Sequence, residues 1–260
     1  MAAAKGSLIM RISRASLHLG WGFVLLGVSA PQKRRYQRPQ LARHWCRKAL
    51  EILGIEVVVE GRIEPGCLQV ANHITWIDVL VMMAAGCRGF VSKSEVASWP
   101  MIGRLTRAVD TVFIERGAWQ TQAASQTMQE RLLKGENVLF FPEGTTTDGR
   151  HIRQFHARLF EAAIATESCV QPLAIRYEVP GGDYNVVPYI DDVGFMENLL
   201  AIMRQPRVRA HLIACEPIAA AGYDRKRLAR EARDRIVTQL AINDPALPAR
   251  VETPSVIDAA

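Results

Sequence analysis

The chain has 260 residues, 49% hydrophobic and 22% charged, which is enough apolar material for one buried core and too little charge for a disordered polymer. Its formal net charge of +6 is concentrated at one end: Lys5, Arg11, Arg14, Lys33, Arg34, Arg35, Arg38, Arg43, Arg47 and Lys48 all precede Glu51, the first acidic residue. Such a block suits an anionic phospholipid surface, where each basic side chain is worth about 1 kcal/mol, and nucleic acid is set aside as a partner because no nucleic-acid motif adjoins the block and aromatic residues are only 7%.

Within the basic block, Leu17 to Ala30 is an apolar run shorter than the roughly 20 residues a bilayer span requires. It reads as an anchor dipping into one leaflet or a thinned single span, and Pro31 directly after Val28-Ser29-Ala30 argues against a cleaved signal. Next, Leu41, Trp45, Ala49, Ile52 and Leu53 recur at helical intervals, with Arg43, Arg47 and Lys48 between them. That helix either lies in the membrane interface or packs on a core, and the neighbouring anchor favours the interface.

Cys67 to Ala71 reads as a short buried strand, and Thr75 as the N-cap of a helix through Val79 to Met83. His73 then falls on the strand-to-helix turn, with Asp78 five positions on. A histidine whose ordinary pKa is about 6.5 can accept a hydroxyl proton and return it. A carboxylate on its other ring nitrogen fixes the tautomer and stabilises the imidazolium. The same Asp78 can equally serve as an N-terminal helix acceptor, since Thr75-x-x-Asp78 is nearly a capping box.

Thr111 to Ile114 is expected as a strand running into Glu115-Arg116-Gly117, Gln120 to Lys134 as a helix ending at Gly135, and Val138 to Phe141 as a buried strand. Pro142-Glu143-Gly144-Thr145-Thr146-Thr147 follows as a donor-rich turn in which glycine allows close approach of a ligand. A helix from Phe155 to Thr166, strands at Val170, Tyr184–Val187 and Val208–Ile213, and a helix opened by Asp224 and reaching Leu240 complete the pattern. Alternating strands and helices imply an α/β layer architecture. The organisation expected is N-terminal membrane-associating helices over 1–54, one catalytic domain over 55–242, and a disordered, proline-bearing tail over 243–260.

Cys46, Cys67, Cys87, Cys169 and Cys215 are odd in number and widely spaced, so neither a disulfide framework nor a zinc site is expected, and they read as small buried residues in a reducing compartment. His151 and His156 form no metal-ligand pattern with His73.

Taken in order, Asn72-His73 with Asp78, Phe113-Ile114-Glu115-Arg116, Phe141-Pro142-Glu143-Gly144-Thr145, and Val170-Gln171-Pro172-Leu173 resemble the four motifs of the glycerolipid acyltransferase family that includes bacterial 1-acylglycerol-3-phosphate acyltransferase. The resemblance runs from about Val57 to Pro217. It implies a mostly parallel or mixed sheet flanked by helices, and acyl transfer from an acyl-carrier protein or coenzyme A thioester to the free hydroxyl of a lysolipid. His73 would deprotonate the hydroxyl, Asp78 would orient His73, and Arg116, Glu143, Gly144 and Thr145 would line the acceptor headgroup site. No metal or cofactor is implied, and the location implied is the cytoplasmic face of the inner membrane, on an anionic surface. Where many members that use lysophosphatidic acid carry arginine after the Phe-Pro-Glu-Gly-Thr motif, this chain has Thr146, as in the branch containing lyso-ornithine lipid and some lysophosphatidylcholine acyltransferases, with Arg150 or Arg153 available to restore the charge. The first acceptor expected is 1-acylglycerol-3-phosphate and the second lyso-ornithine lipid. Lysolipid hydrolysis, and a lipid-binding membrane protein that has lost the chemistry, are the readings from other classes.

Overall fold

Short runs of Val, Ile, Leu and Phe build the strands of the computed structural model, which describes residues 2–22, 24, 37–94, 111–114, 122–190 and 192–241. In chain order the elements are α1 (Ala2–Gly22), α2 (Gln37–Leu53), β1 (Ile55–Glu60), β2 (Leu68–Ala71), α3 (Ile77–Ala85), β3 (Val91–Lys93), β4 (Val112–Ile114), α4 (Gln122–Leu133), β5 (Val138–Phe140), α5 (Glu161–Ala165), β6 (Cys169–Glu178), α6 (Phe195–Met203), β7 (Val208–Ala214), β8 (Ile218–Ala219) and α7 (Arg225–Gln239). Arg116 and the proline-bearing tail lie outside the described residues, as does most of the apolar run after Gly22.

The main sheet has the order β1-β7-β6-β2-β5, with β8 also paired to β6. The β1–β7, β6–β2 and β2–β5 pairs are parallel, whereas β6 runs antiparallel to β7 and β8, so the sheet is mixed. A second, parallel pair, β3 with β4, adjoins β5 through a bridge from Phe90 to Leu139. Because side chains alternate along a strand, each strand feeds two cores. Leu68, Val70, Val138 and Phe140 pack with Met128 of α4, Phe160, and Leu228 and Ile236 of α7. Ala71, Leu139, Leu173 and Ile175 pack on the other face with Leu50 of α2, Val81 and Met82 of α3, and Ile202 of α6. Helices on both faces of a largely parallel sheet are the α/β arrangement expected from the alternation.

Several elements differ from the sequence reading. The helix expected from Phe155 begins only with a 3-10 turn at Arg158–Phe160 that leads into α5, and residues 152–157 form no regular element. The His156 N–H donates to the Pro142 carbonyl (2.9 Å), which holds this stretch against the turn after β5. Tyr184–Val186 is a 3-10 turn and not a strand, because the Asp183 carboxylate accepts from the Asn185 N–H and curls the chain. Helix α2 buries Cys46, Leu50 and Leu53 in the core, and Arg43 and Arg47 both donate to the Ala84 carbonyl (3.1 and 3.0 Å) at the end of α3. Those two guanidinium groups satisfy a helix C-terminus. Of the two readings open for this helix, packing on the core is the one observed.

Cysteine usage is also corrected. Cys67 and Cys169 form a disulfide, while Cys46, Cys87 and Cys215 are free. The register that pairs Leu68 with Val170 brings the two preceding residues side by side on neighbouring parallel strands, a juxtaposition of residues 102 apart that no local spacing reveals.

The exit of β2 is fixed by a side chain. Asn72 donates to the Ile175 carbonyl (2.9 Å) and accepts from the Ile175 N–H (2.8 Å), continuing the pairing with β6 where the chain turns away. Asn72→Ala leaves two buried main-chain groups without partners and is expected to cost about 2–4 kcal/mol, read as a lowered denaturant midpoint.

Candidate active site

The turn from β2 into α3 wraps around one carboxylate. Asp78, fully buried, accepts through Oδ2 from the main-chain N–H groups of Ile74 (2.7 Å) and Thr75 (3.0 Å) and lies 2.8 Å from Nδ1 of His73. Its Oδ1 accepts from the Tyr177 hydroxyl (2.6 Å) on β6. Asp78 therefore performs both roles open to it, closing the helix entry and orienting the imidazole. Thr75 is not the N-cap: Trp76 holds that position without a capping side chain, and Asp78 takes the Thr75 N–H instead.

Since Asp78 is an acceptor, Nδ1 of His73 carries the hydrogen and Nε2 is left with a lone pair. Nε2 has no hydrogen-bond partner among the described residues, and the side chain is 19% exposed. The ring stacks on Phe141, with centroids 3.9 Å apart and planes 13° from parallel. Two rigid contacts, one to a carboxylate and one to an aromatic face, thus fix the imidazole. Burial, reinforced by the Asp78 charge, holds the Tyr177 phenol well above its usual range, so it remains a neutral donor.

Glu143, expected at the headgroup, is 3% exposed and has both carboxylate oxygens on main-chain amides: Oε1 accepts from His73 N–H (2.8 Å) and Oε2 from Arg153 N–H (2.9 Å). It clamps the His73 backbone to the irregular segment that follows the β5 turn. Burial raises its pKa, against the opposing pull of the two amides and His73. Thr147 adds a second tie, its N–H donating to the His73 carbonyl (2.8 Å). Gly144 has φ +72°, and a Cβ there would come within 3.2 Å of the His156 ring, which accounts for glycine at that point of the turn.

Beside the turn from β2 into α3 opens a cleft of about 450 Å³ lined by Thr145, Thr146, Thr147, Asp148, His151, Arg153, Tyr189 and Ile190. Its far wall is joined to the turn by Tyr189 N–H to the Ile74 carbonyl (2.9 Å), and Thr146 bonds the Tyr189 carbonyl through its hydroxyl. Of the two arginines considered for this region, Arg153 lines the cleft, whereas Arg150 donates to Asn185 (3.0 Å). Arg116 lies outside the described residues. Cys87 is a poor nucleophile, since burial pushes its thiol up to about 12. Among the described residues no cluster of His, Cys, Asp and Glu is suited to hold a metal ion.

Sequence reading missed Tyr177, which stands 99 residues from Asp78, and Asn198, which accepts from the Trp76 indole N–H (2.8 Å) and secures the start of α3. The only trace of Tyr177 in the sequence is a polar aromatic at an interior position of a hydrophobic strand.

A family model described as Acyltransferase matches residues 50–176. The chain is 37% identical over 212 residues to a lyso-ornithine lipid O-acyltransferase of Pseudomonas aeruginosa, covering 81% of each protein. It is 33% identical over 238 residues to a 1-acyl-sn-glycerol-3-phosphate acyltransferase of Neisseria meningitidis, covering 86% of this chain and 91% of that one. The crystal structure of the 1-acyl-sn-glycerophosphate acyltransferase PlsC from Thermotoga maritima shares the fold, with a TM-score of 0.67 at 20% identity over 93% of this chain and 98% of that chain.

Proposed function

The chain belongs to the acyltransferase family and is a lysolipid O-acyltransferase, and we propose that its acceptor is lyso-ornithine lipid, acylated directly from a thioester with His73 as general base. The observation that carries the chemistry is the His73–Asp78 pair, with Nδ1 held at 2.8 Å and Nε2 left with its lone pair. The acceptor reading is supported by Thr146 at the position after the Phe-Pro-Glu-Gly-Thr motif, and by the similarity to lyso-ornithine lipid O-acyltransferases of Pseudomonas aeruginosa and Rhizobium meliloti, at 37% and 36% identity. A second reading, 1-acylglycerol-3-phosphate as acceptor, is favoured by the Neisseria relative and its longer aligned span.

The acceptor hydroxyl gives its proton to Nε2 of His73 as its oxygen bonds to the thioester carbonyl carbon. Asp78 stabilises the imidazolium that forms. Collapse of the tetrahedral intermediate breaks the carbon–sulfur bond, and the departing thiolate takes the proton back from Nε2, leaving an ester and a free thiol. No acyl-enzyme and no cofactor enter the cycle; the acyl-carrier protein or coenzyme A thioester is a co-substrate. Phe141 and Asp78 hold the base in position, so little reorganisation precedes proton transfer.

The reaction site faces a membrane surface in this reading. Among the described residues no helix is long and apolar enough to cross a bilayer. Helix α1 is instead docked on the domain, Arg11 donating to the Met203 carbonyl (2.8 Å) and the His18 ring stacking on Trp45, while Ile9, Met10, Leu17 and Trp21 point outward. Apolar side chains on one side of a docked, basic helix fit insertion into one leaflet.

The test is an initial-rate assay in mixed micelles with one acyl thioester and three acceptors: lyso-ornithine lipid, 1-acylglycerol-3-phosphate and lysophosphatidylcholine. The highest kcat/KM is expected with lyso-ornithine lipid. Preference for 1-acylglycerol-3-phosphate would establish the second reading.

A further inference from the structure

Resting on the lyso-ornithine reading, we infer that the cleft beside His73 recognises a zwitterion, with Asp148 receiving the ammonium of the acceptor and Arg153 its carboxylate. An N-acylated ornithine carries both groups, three methylenes apart along its side chain, and a phosphate monoester carries only negative charge. The cleft presents both signs. Asp148 and Arg153 line it together with Thr145, Thr146 and Thr147, the last of which donates its main-chain N–H to the His73 carbonyl.

Each charged group is held ready. Asp148 Oδ1 accepts from the Arg150 N–H (3.0 Å) and sits 3.0 Å from Nδ1 of His151, which fixes the carboxylate, while Oδ2 has no partner among the described residues. The Asp148 carbonyl accepts from the Tyr184 hydroxyl (2.7 Å), anchoring the backbone beneath it. The main chain at Arg153 is gripped from two sides, its N–H by Glu143 and its carbonyl by Arg233 (3.1 Å), yet its guanidinium makes no ion pair among the described residues.

A dianionic headgroup in this cleft would meet the Arg153 guanidinium and the His151 imidazole, but also the opposed Asp148 carboxylate to which that imidazole is already bound. Thr146 offers it little, since that hydroxyl is committed to the Tyr189 carbonyl. A carboxylate and an ammonium would each meet a partner of opposite sign, and charged hydrogen bonds of this kind are the strong ones. Asp148 is thus a specificity residue that excludes phosphate monoesters as well as attracting a cation.

The experiment uses the full chain with three matched acceptors: the 3-hydroxyacyl amide of ornithine, the same amide of norvaline, which lacks only the ammonium, and the carboxamide of the ornithine compound. Wild type is expected to favour ornithine over norvaline by about ten- to hundredfold in kcat/KM, chiefly through KM. Asp148→Asn, which keeps an acceptor for the Arg150 N–H, is expected to bring that ratio close to one. Arg153→Gln is expected to leave it and to abolish the preference for carboxylate over carboxamide. An undiminished ornithine preference in Asp148→Asn, or an equal loss with all three acceptors, overturns the inference while the proposed acceptor stands. Failure of wild type to acylate the ornithine compound, with 1-acylglycerol-3-phosphate still used, overturns both.

Discussion

His73→Ala is expected to lower kcat about a thousandfold while leaving KM for the lysolipid nearly unchanged. Nε2 of the imidazole has no hydrogen-bond partner among the described residues, and none of the residues that line the cleft bonds to the ring. Its removal also leaves folding almost intact. Asp78 retains three of its four donors, from Ile74, Thr75 and Tyr177, and the lost ring was already partly exposed. Initial rates and a thermal melt on the same preparation check both halves. Turnover within tenfold of wild type would place the base elsewhere.

Asp78→Ala is expected to lose activity to a similar extent and stability as well. Four donors converge on this carboxylate, and three of them, the Ile74 and Thr75 amides and the Tyr177 hydroxyl, have no other partner in the buried turn. Leaving buried donors unpaired costs about 1–3 kcal/mol each, so a total of about 3–5 kcal/mol, or a Tm lower by about 10 °C, is expected. Asp78→Asn separates the two effects. Its amide oxygen can accept from the turn while its amide nitrogen donates to a reoriented Tyr177 hydroxyl, so the melt recovers but the imidazolium loses its counter-charge. A kcat restored along with stability would show that Asp78 serves only to close the helix entry.

How much of this was legible in the sequence depended on distance along the chain. His73 and Asp78 are five apart, and the strand before them and the helix after them have clear apolar patterns, so their meeting on a turn could be read directly. The Pro142-Glu143-Gly144 turn was legible for the same reason. What Glu143 does there was not, because its two partners, the amides of His73 and Arg153, are defined only when β2 and β5 lie side by side. Tyr177 and the Cys67–Cys169 disulfide likewise depend on β6 entering next to β2, a pairing of residues about 100 apart. The stretch from Phe155 has enough apolar residues for a helix, yet the His156 N–H is committed to the Pro142 carbonyl and the first helical turn starts only at Arg158. Strand β1, Ile55–Glu60, escaped notice although its three consecutive valines favour extended structure, because it lies at a sheet edge with a mixed burial pattern.

Nonlocal pairing also holds the turn from β2 into α3 on several sides. Asn72, Asp78, Glu143 and Thr147 tie it to β6, to itself, to the β5 turn and to the cleft wall respectively. A base held on so many sides needs no covalent intermediate to keep the acyl group in register with the acceptor, since positioning alone converts an encounter of three molecules into reaction in one geometry.

The most direct test of His73 as a base rather than a nucleophile is to mix the enzyme with a labelled acyl thioester in micelles without acceptor, and to follow the intact protein mass on the turnover timescale. Direct transfer predicts an unmodified protein until lysolipid is added, then one ester formed per thiol released. An acyl adduct that appears without acceptor and is discharged when lysolipid is added, at a rate matching turnover, would contradict it.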